Sequence, residues 1–116
     1  KDFIDLITGF KRVSQILKGI EIEKLPNLDP TLFKEKEENE LYFKMLELQP
    51  KLEDFLNKKE YIKYLETLLE FKELIDRFFD NVFVMVEDKK IRENRLKLLA
   101  EISIHFNSFG DFIYLI

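Results

Sequence analysis

An all-α fold, a single bundle of about five to six helices, is what this sequence predicts, and three observations carry that reading. Leu, Glu and Lys, which lose little side-chain freedom in a helix, dominate the composition, while Gly and Pro number three each. Apolar residues recur with the 3.6-residue period of a buried helix face along most of the chain. One run alone, Val82-Phe83-Val84-Met85-Val86, reads as a strand, and no second run exists to pair with its backbone groups.

The first element is an amphipathic helix over 2–20. Phe3, Leu6, Phe10, Val13, Leu17 and Ile20 form its apolar stripe. Lys11, Gln15 and Lys18 share the opposite, solvated side, with Arg12 beside them. Residues 21–29, with Pro26, Asn27 and Asp29, read as a loop. Asp29-Pro30 supplies a cap followed by proline at the first helical position, opening a short turn anchored by Leu32 and Phe33. A second helix follows over 35–48 with Leu41, Met45 and Leu48 inward; its start, Lys34-Glu35-Lys36-Glu37-Glu38, reads as a solvated face. Gln49-Pro50 is expected to break or kink it, leaving a short helix over 51–56 and a turn at Asn57-Lys58-Lys59.

Residues 60–77 form the next long helix, with Tyr61, Leu65, Leu68 and Ile75 inward. Val82–Val86 is then an extended connector buried between helices. Asp88 offers an N-cap oxygen to a final helix over 88–109, closed by Gly110 as a left-handed cap. Its apolar face is Ile91, Leu98, Leu99, Ile102, Phe106 and Phe109, and Arg95 falls near the middle of that face. A charge there is costly unless it is paired. The nearest acid across the connector is Asp80, so an Asp80–Arg95 ion pair is expected to pin the connector to the last helix. The apolar residues after Asp111 must dock on the bundle or stand as a sticky tail.

A chain of 116 residues is one domain, here 1–116, with room for a single core. At 46% hydrophobic and 36% charged it is globular rather than disordered. It has no Cys, so neither disulfides nor thiolate metal sites are available, and a reducing cytoplasm is the expected location. No apolar run is long enough to span a membrane, and acids interrupt the N-terminal one, so no signal peptide or membrane partner is expected. The lack of an initiator Met suggests a piece of a longer protein. The formal charge of −4 argues against coating nucleic acid nonspecifically. Its distribution is uneven: residues 1–20 carry +2, residues 21–76 carry −6, and the remainder balances. The acidic middle either restricts where an anionic partner lands or is simply a solvated surface.

Catalysis finds no support. There is one His, no phosphate loop and no nucleophile motif, so neither catalytic nor metal-binding residues are assigned. His105, at the edge of an apolar face, reads as a packed histidine, and Asp76 and Asp80 as salt-bridging acids. Phe79, Phe83 and Tyr42 are the aromatics to check for a ring exposed enough to stack on a flat ligand.

Two stretches carry a resemblance. Phe78-Phe79-Asp80-Asn81-Val82-x-Val84-Met85-Val86, followed by Asp88-x-x-Ile91-Arg92-x-Asn94-Arg95-Leu96-x-Leu98-Leu99, resembles the DALR-type anticodon-binding domain, nearest to that of bacterial glycyl-tRNA synthetase β subunits. The namesake motif stands here as Asp88-Lys89-Lys90-Ile91-Arg92, with the Ala and Leu positions changed. Near the N-terminus, Lys11-Arg12-Val13-x-Gln15-Ile16-Leu17 resembles the Lys-Arg-Val-x-Asn-Ile-Leu motif of the same family, with Gln15 reaching one methylene further than Asn. Asp-Pro-x-Leu-Phe at 29–33 also matches. Where the family tends to carry proline, this chain has Leu74, so the helix before the connector is expected to run on to Phe79 with less of a bend.

The resemblance implies the C-terminal, anticodon-gripping module of a glycine-tRNA ligase. In that family an α subunit holds the active site, and ATP and Mg serve the whole complex rather than this domain. The implied partners are the anticodon loop of tRNA-Gly and, through the rest of the β subunit, the α subunit. Expected RNA-binding residues are Lys11, Arg12, Gln15, Lys18, Lys89, Arg92 and Asn94, with Lys97 a further cation near phosphates. Each cation has a bland alternative as solubilising surface charge, and Arg92 and Asn94 one as a hydrogen-bond network at the helix start. Arginyl-tRNA synthetase carries the same architecture and is the near alternative. A helical module that only mediates subunit contacts is the distant one.

Overall fold

A computed structural model describes residues 2–113 of the chain, with side chains described over 3–105. Among the described residues there are five α-helices and no strand: α1 (Asp2–Leu17), α2 (Lys36–Asn57), α3 (Tyr61–Leu68), α4 (Lys72–Asn81) and α5 (Lys89–Ile113). A single 3-10 turn, Leu69–Phe71, joins α3 to α4 without a gap, so four rods build the bundle. The all-α expectation holds, at the low end of its helix count.

Leu6, Phe10, Val13 and Leu17 of α1 are buried as the stripe requires, whereas Phe3 is 40% exposed and Ile20 half-buried. The helix stops at Leu17 rather than Ile20, because Gly19 adopts φ +81°, a left-handed turn in which the Ile20 N–H donates to the Leu17 carbonyl at 3.0 Å. Contacts between α1 and α4 climb in step: Asp5 meets Lys72 at 3.5 Å and Arg12 lies over Phe79. Between them a Cβ added at Gly9 would approach Ile75 to 3.2 Å, so glycine permits the close crossing. These two helices therefore run parallel. On α2 and α4 the order reverses, Glu40 facing Arg77 and Lys44 facing Glu70. α2 thus runs against α1 and α4, and α5, whose Arg95 meets Glu38 and whose His105 shares a cleft with Glu53, runs with α2.

Pro50 does not end α2, which continues to Asn57. Proline removes the bond to the carbonyl four residues back, Leu46, but both residues lie on the exposed side, where water can serve that oxygen. Met45, Leu48 and Leu52 on the inner face carry the helix past it. Its end is a Schellman turn, with Glu60 N–H donating to Phe55 O at 2.8 Å and Lys59 at φ 59°.

The 82–88 connector is extended but only half buried. Val82 and Val84 point inward at 5% exposure, while Phe83 and Met85 point out at 75% and 55%. The expectation of a wholly buried connector is corrected by this alternation, the ordinary consequence of an extended backbone at a surface. Asp88 caps α5 as expected, accepting from the Ile91 N–H at 3.1 Å. The helix runs through Gly110 to Ile113, so glycine is not its terminator. The side chains of Phe106, Phe109 and Asp111 and the closing 114–116 lie outside the described residues.

Arg95 is buried, and its partner is not Asp80, which is exposed. One Arg95 nitrogen (Nη2) meets Glu38 Oε1 at 3.1 Å, and the other (Nη1) donates to the Phe83 carbonyl at 2.6 Å. Glu38, fully buried, also accepts from the Lys34 and Glu35 N–H groups at 3.0 Å each, capping α2. A run that reads as a solvated helix face is therefore partly an internal anchor. Glu38→Ala should cost about 3–5 kcal/mol in urea unfolding, because it strands a buried guanidinium. Glu38→Gln with Arg95→Met, which removes both charges and keeps an oxygen for the cap, should recover much of that loss.

Candidate nucleic-acid interface

Three exposed cations, Lys11, Arg12 and Lys18, lie on or just past the C-terminal half of α1. Lys11, Gln15 and Lys18 are all exposed on one stripe of that helix, spanning about 10 Å at 1.5 Å per residue. Arg12 turns to the α4 side, its guanidinium 4.4 Å from the centre of the Phe79 ring. Because α1 opposes α5, the Lys18–Gly19 end of α1 meets the first turns of α5. There a recess of about 310 Å³ is lined by Gly19, Ile20, Lys24, Met85, Arg92 and Leu96, among others. Lys24 within it is paired to Glu21 at 2.6 Å. Lys89, the first residue of α5, is exposed. The structure thus brings the Gly19–Ile20 end of α1 beside Arg92, places Lys18 beside Ser103 and Lys11 two turns back, and sets Arg12 on the α4 flank.

Two of the expected RNA contacts are otherwise engaged. Arg92 is half-buried, and its Nη1 donates to the Val86 and Glu87 carbonyls at 3.0 and 3.2 Å. Asn94 is 2% exposed and cannot read a base from there. Its Oδ1 accepts from the Asp29 N–H at 2.8 Å and its Nδ2 donates to the Asp29 carbonyl at 2.9 Å, a reciprocal clamp on the 21–33 loop. The RNA-contact expectation for Asn94 is corrected accordingly: at 3.6 residues per turn it faces inward with Leu98. Asp29 in turn accepts from the Thr31 hydroxyl and N–H, which hold its carboxyl below the usual carboxylate range.

On another face of α5 lies a cleft of about 590 Å³, between α2 and α5 and lined in part by Tyr42, Gln49, Glu53, Lys97, Glu101 and His105. Lys97 belongs here, away from the α1 stripe. His105 is buried, with its carbonyl accepting from the Tyr64 hydroxyl at 2.8 Å, a packed histidine as its position suggests. Burial pushes its pKa below the ordinary 6.5, against a weaker upward pull from Glu53. Among the described residues no group of three or more His, Asp or Glu is placed to hold a metal ion. No helix among them is long and apolar enough to cross a membrane.

The DALR anticodon binding domain family matches residues 6–112. The chain is 46% identical over 115 residues to the glycine–tRNA ligase beta subunit of Sulfurihydrogenibium sp. strain YO3AOP1, covering 99% of the chain and 17% of that protein. It is 41% identical over 111 residues to the protein of the same name from Persephonella marina, covering 96% and 15%. Against that of Thermotoga maritima it is 40% identical over 115 residues, covering 99% and 17%. The chain therefore spans about one sixth of the length of the curated relatives it matches.

Two outcomes follow from the clamp and the buried imidazole. Asn94→Ala should lower stability by about 1–3 kcal/mol and speed amide hydrogen exchange at Asp29 before the rest of the core. For His105 the folded pKa lies below the unfolded one, so the unfolded chain binds the extra proton as pH falls. Stability should be full above about pH 6.5 and decline as pH drops below it; His105→Gln should flatten that decline in thermal melts taken between about pH 7.5 and 5.5.

Proposed function

This chain belongs to the DALR anticodon binding domain family, and on that premise we propose that it is the tRNA-gripping module of a glycine–tRNA ligase beta subunit. Its ligand is the anticodon loop of tRNA-Gly. The observation that carries the reading is likeness over nearly the whole chain to beta subunits of that name. The geometry supports it with Lys11, Gln15 and Lys18 exposed along one helix, and the formal charge of −4 argues against nonspecific coating.

In this reading Lys11, Arg12, Lys18 and Lys89 meet phosphates, while Gln15, exposed between Lys11 and Lys18, reads a base edge. Arg92 contributes through the N–H groups not engaged with the connector. The module has no catalytic residue of its own. It holds the anticodon end so that the acceptor end is oriented at an active site elsewhere, and remote binding energy serves the chemical step. The parent complex, with its α subunit, uses ATP and Mg to attach glycine, in the cytoplasm.

A second reading, a module for subunit contacts alone, draws on one observation: Phe43 and Leu46 of α2 and Ile104 of α5 are exposed at 62%, 44% and 61%. RNA binding separates the two. The chain should bind a hairpin carrying the glycine anticodon with micromolar or weaker affinity and prefer it to an arginine-anticodon hairpin. Lys11→Ala with Arg12→Ala should weaken binding several-fold and reduce the salt slope by about 2. Equal binding by wild type and double variant would remove the α1 stripe from the site, and no binding by either would favour subunit contact.

A further inference from the structure

We infer that the Phe83 ring is the stacking platform for one unpaired base of the bound RNA loop, an assignment that rests on the tRNA-binding reading. Of the three aromatics that the sequence nominates, two are already engaged. Phe79 is half-buried under the Arg12 guanidinium. Tyr42 is half-buried and packs edge-on against Phe33 at 5.5 Å. Phe83 stands 75% exposed.

What distinguishes this ring from an ordinary surface phenylalanine is the hold on its backbone. Its own carbonyl accepts from Arg95, which is itself anchored on buried Glu38. The residues on either side, Val82 and Val84, are buried, and the Val82 N–H donates to the Phe78 carbonyl at 2.8 Å. Three residues on, Arg92 holds the Val86 and Glu87 carbonyls. An aromatic side chain has only two torsions left to fix once its backbone is held, so little ordering is lost when a ligand meets it.

The surroundings select the occupant. Arg12 over Phe79, four residues earlier, and Arg92 in the Met85 recess border the connector with cations. Asp80, Glu87 and Asp88 are the exposed acids of the connector and its flanks, and Glu21 and Glu93 stand in the Met85 recess. A flat apolar face bordered by cations on one side suits a base whose phosphates turn toward α1. Unpaired RNA is recognised by this combination of aromatic stacking and backbone neutralisation. With Val82 and Val84 turned inward, only Phe83 and Met85 face out, too narrow an apolar surface for a protein interface of the usual ~800 Å² per partner.

The test uses a glycine-anticodon RNA hairpin with 2-aminopurine substituted in turn at each loop position, titrated with this chain and with Phe83→Ala, Phe83→Leu and Phe83→Trp. Wild type and the Trp variant should quench one loop position. The Ala variant should lose that quenching and about five- to a hundredfold in affinity, while its thermal melt stays unchanged because the ring is exposed. Leu should behave as Ala, since it offers apolar area without a π face. Wild-type affinity in the Ala or Leu variant would overturn the stacking role and leave the tRNA-binding reading standing. Absence of binding by wild type itself would overturn both.

Discussion

The buried Glu38–Arg95 pair is the contact on which the arrangement of this domain depends. One carboxylate oxygen caps the start of α2 and receives the guanidinium, and the guanidinium in turn holds the connector at Phe83. The start of α2, the connector and α5 are therefore joined through one Glu–Arg pair. Removing two charges from water costs several kcal/mol per ion, and the bridge offsets that cost only with good geometry and further hydrogen bonds. Here Glu38 Oε2 and Arg95 Nε have no hydrogen-bond partner among the described residues, so the network is incompletely satisfied. Its contribution is better understood as fixing which segment lies where than as a large net gain in stability.

The same two turns of α5 repeat that strategy. Arg92 binds the end of the connector, Asn94 clamps the 21–33 loop, and Arg95 binds the connector's start. Each polar side chain is spent on the backbone of a segment with no regular ladder of its own, which would otherwise leave amides and carbonyls unsatisfied. The N-terminal part of α5 thus acts as a clasp. Because α1 opposes α5, the clasp lies beside the Lys18 end of α1, and the irregular segments it orders form the bundle's RNA-facing end in the proposed reading.

Periodicity made the core legible. Leu6, Phe10 and Val13, then Leu41, Met45 and Leu48, then Leu65, Leu68 and Ile75 are buried where a 3.6-residue repeat places them. So was the need for a partner at Arg95, although not the partner itself: proximity in sequence favoured Asp80, and only tertiary packing brings Glu38 across. A signal for it existed, since Glu35-x-x-Glu38 has the spacing of a capping box, but a run of charges before a helix also fits a solvated face. Pro50 misled for a related reason. A local breaker yields when the freed carbonyl faces water and the opposite face is well packed. The exposed cations of α1 were legible from their stripe, whereas Asn94 was not, because hydrogen bonding to a loop and to a base ask for the same amide.

At the centre of the account is a division of labour along one molecule: inward-facing polar groups of α5 order the connector and loop, and in the proposed reading the end they shape meets RNA. Mapping amide shifts of the labelled chain during titration with the glycine-anticodon hairpin tests this most directly. Changes should cluster at Lys11–Lys18, at Phe83–Met85 and in the first turn of α5, and leave Phe43, Leu46 and Ile104 undisturbed. Changes confined to the Phe43, Leu46 and Ile104 face would contradict it.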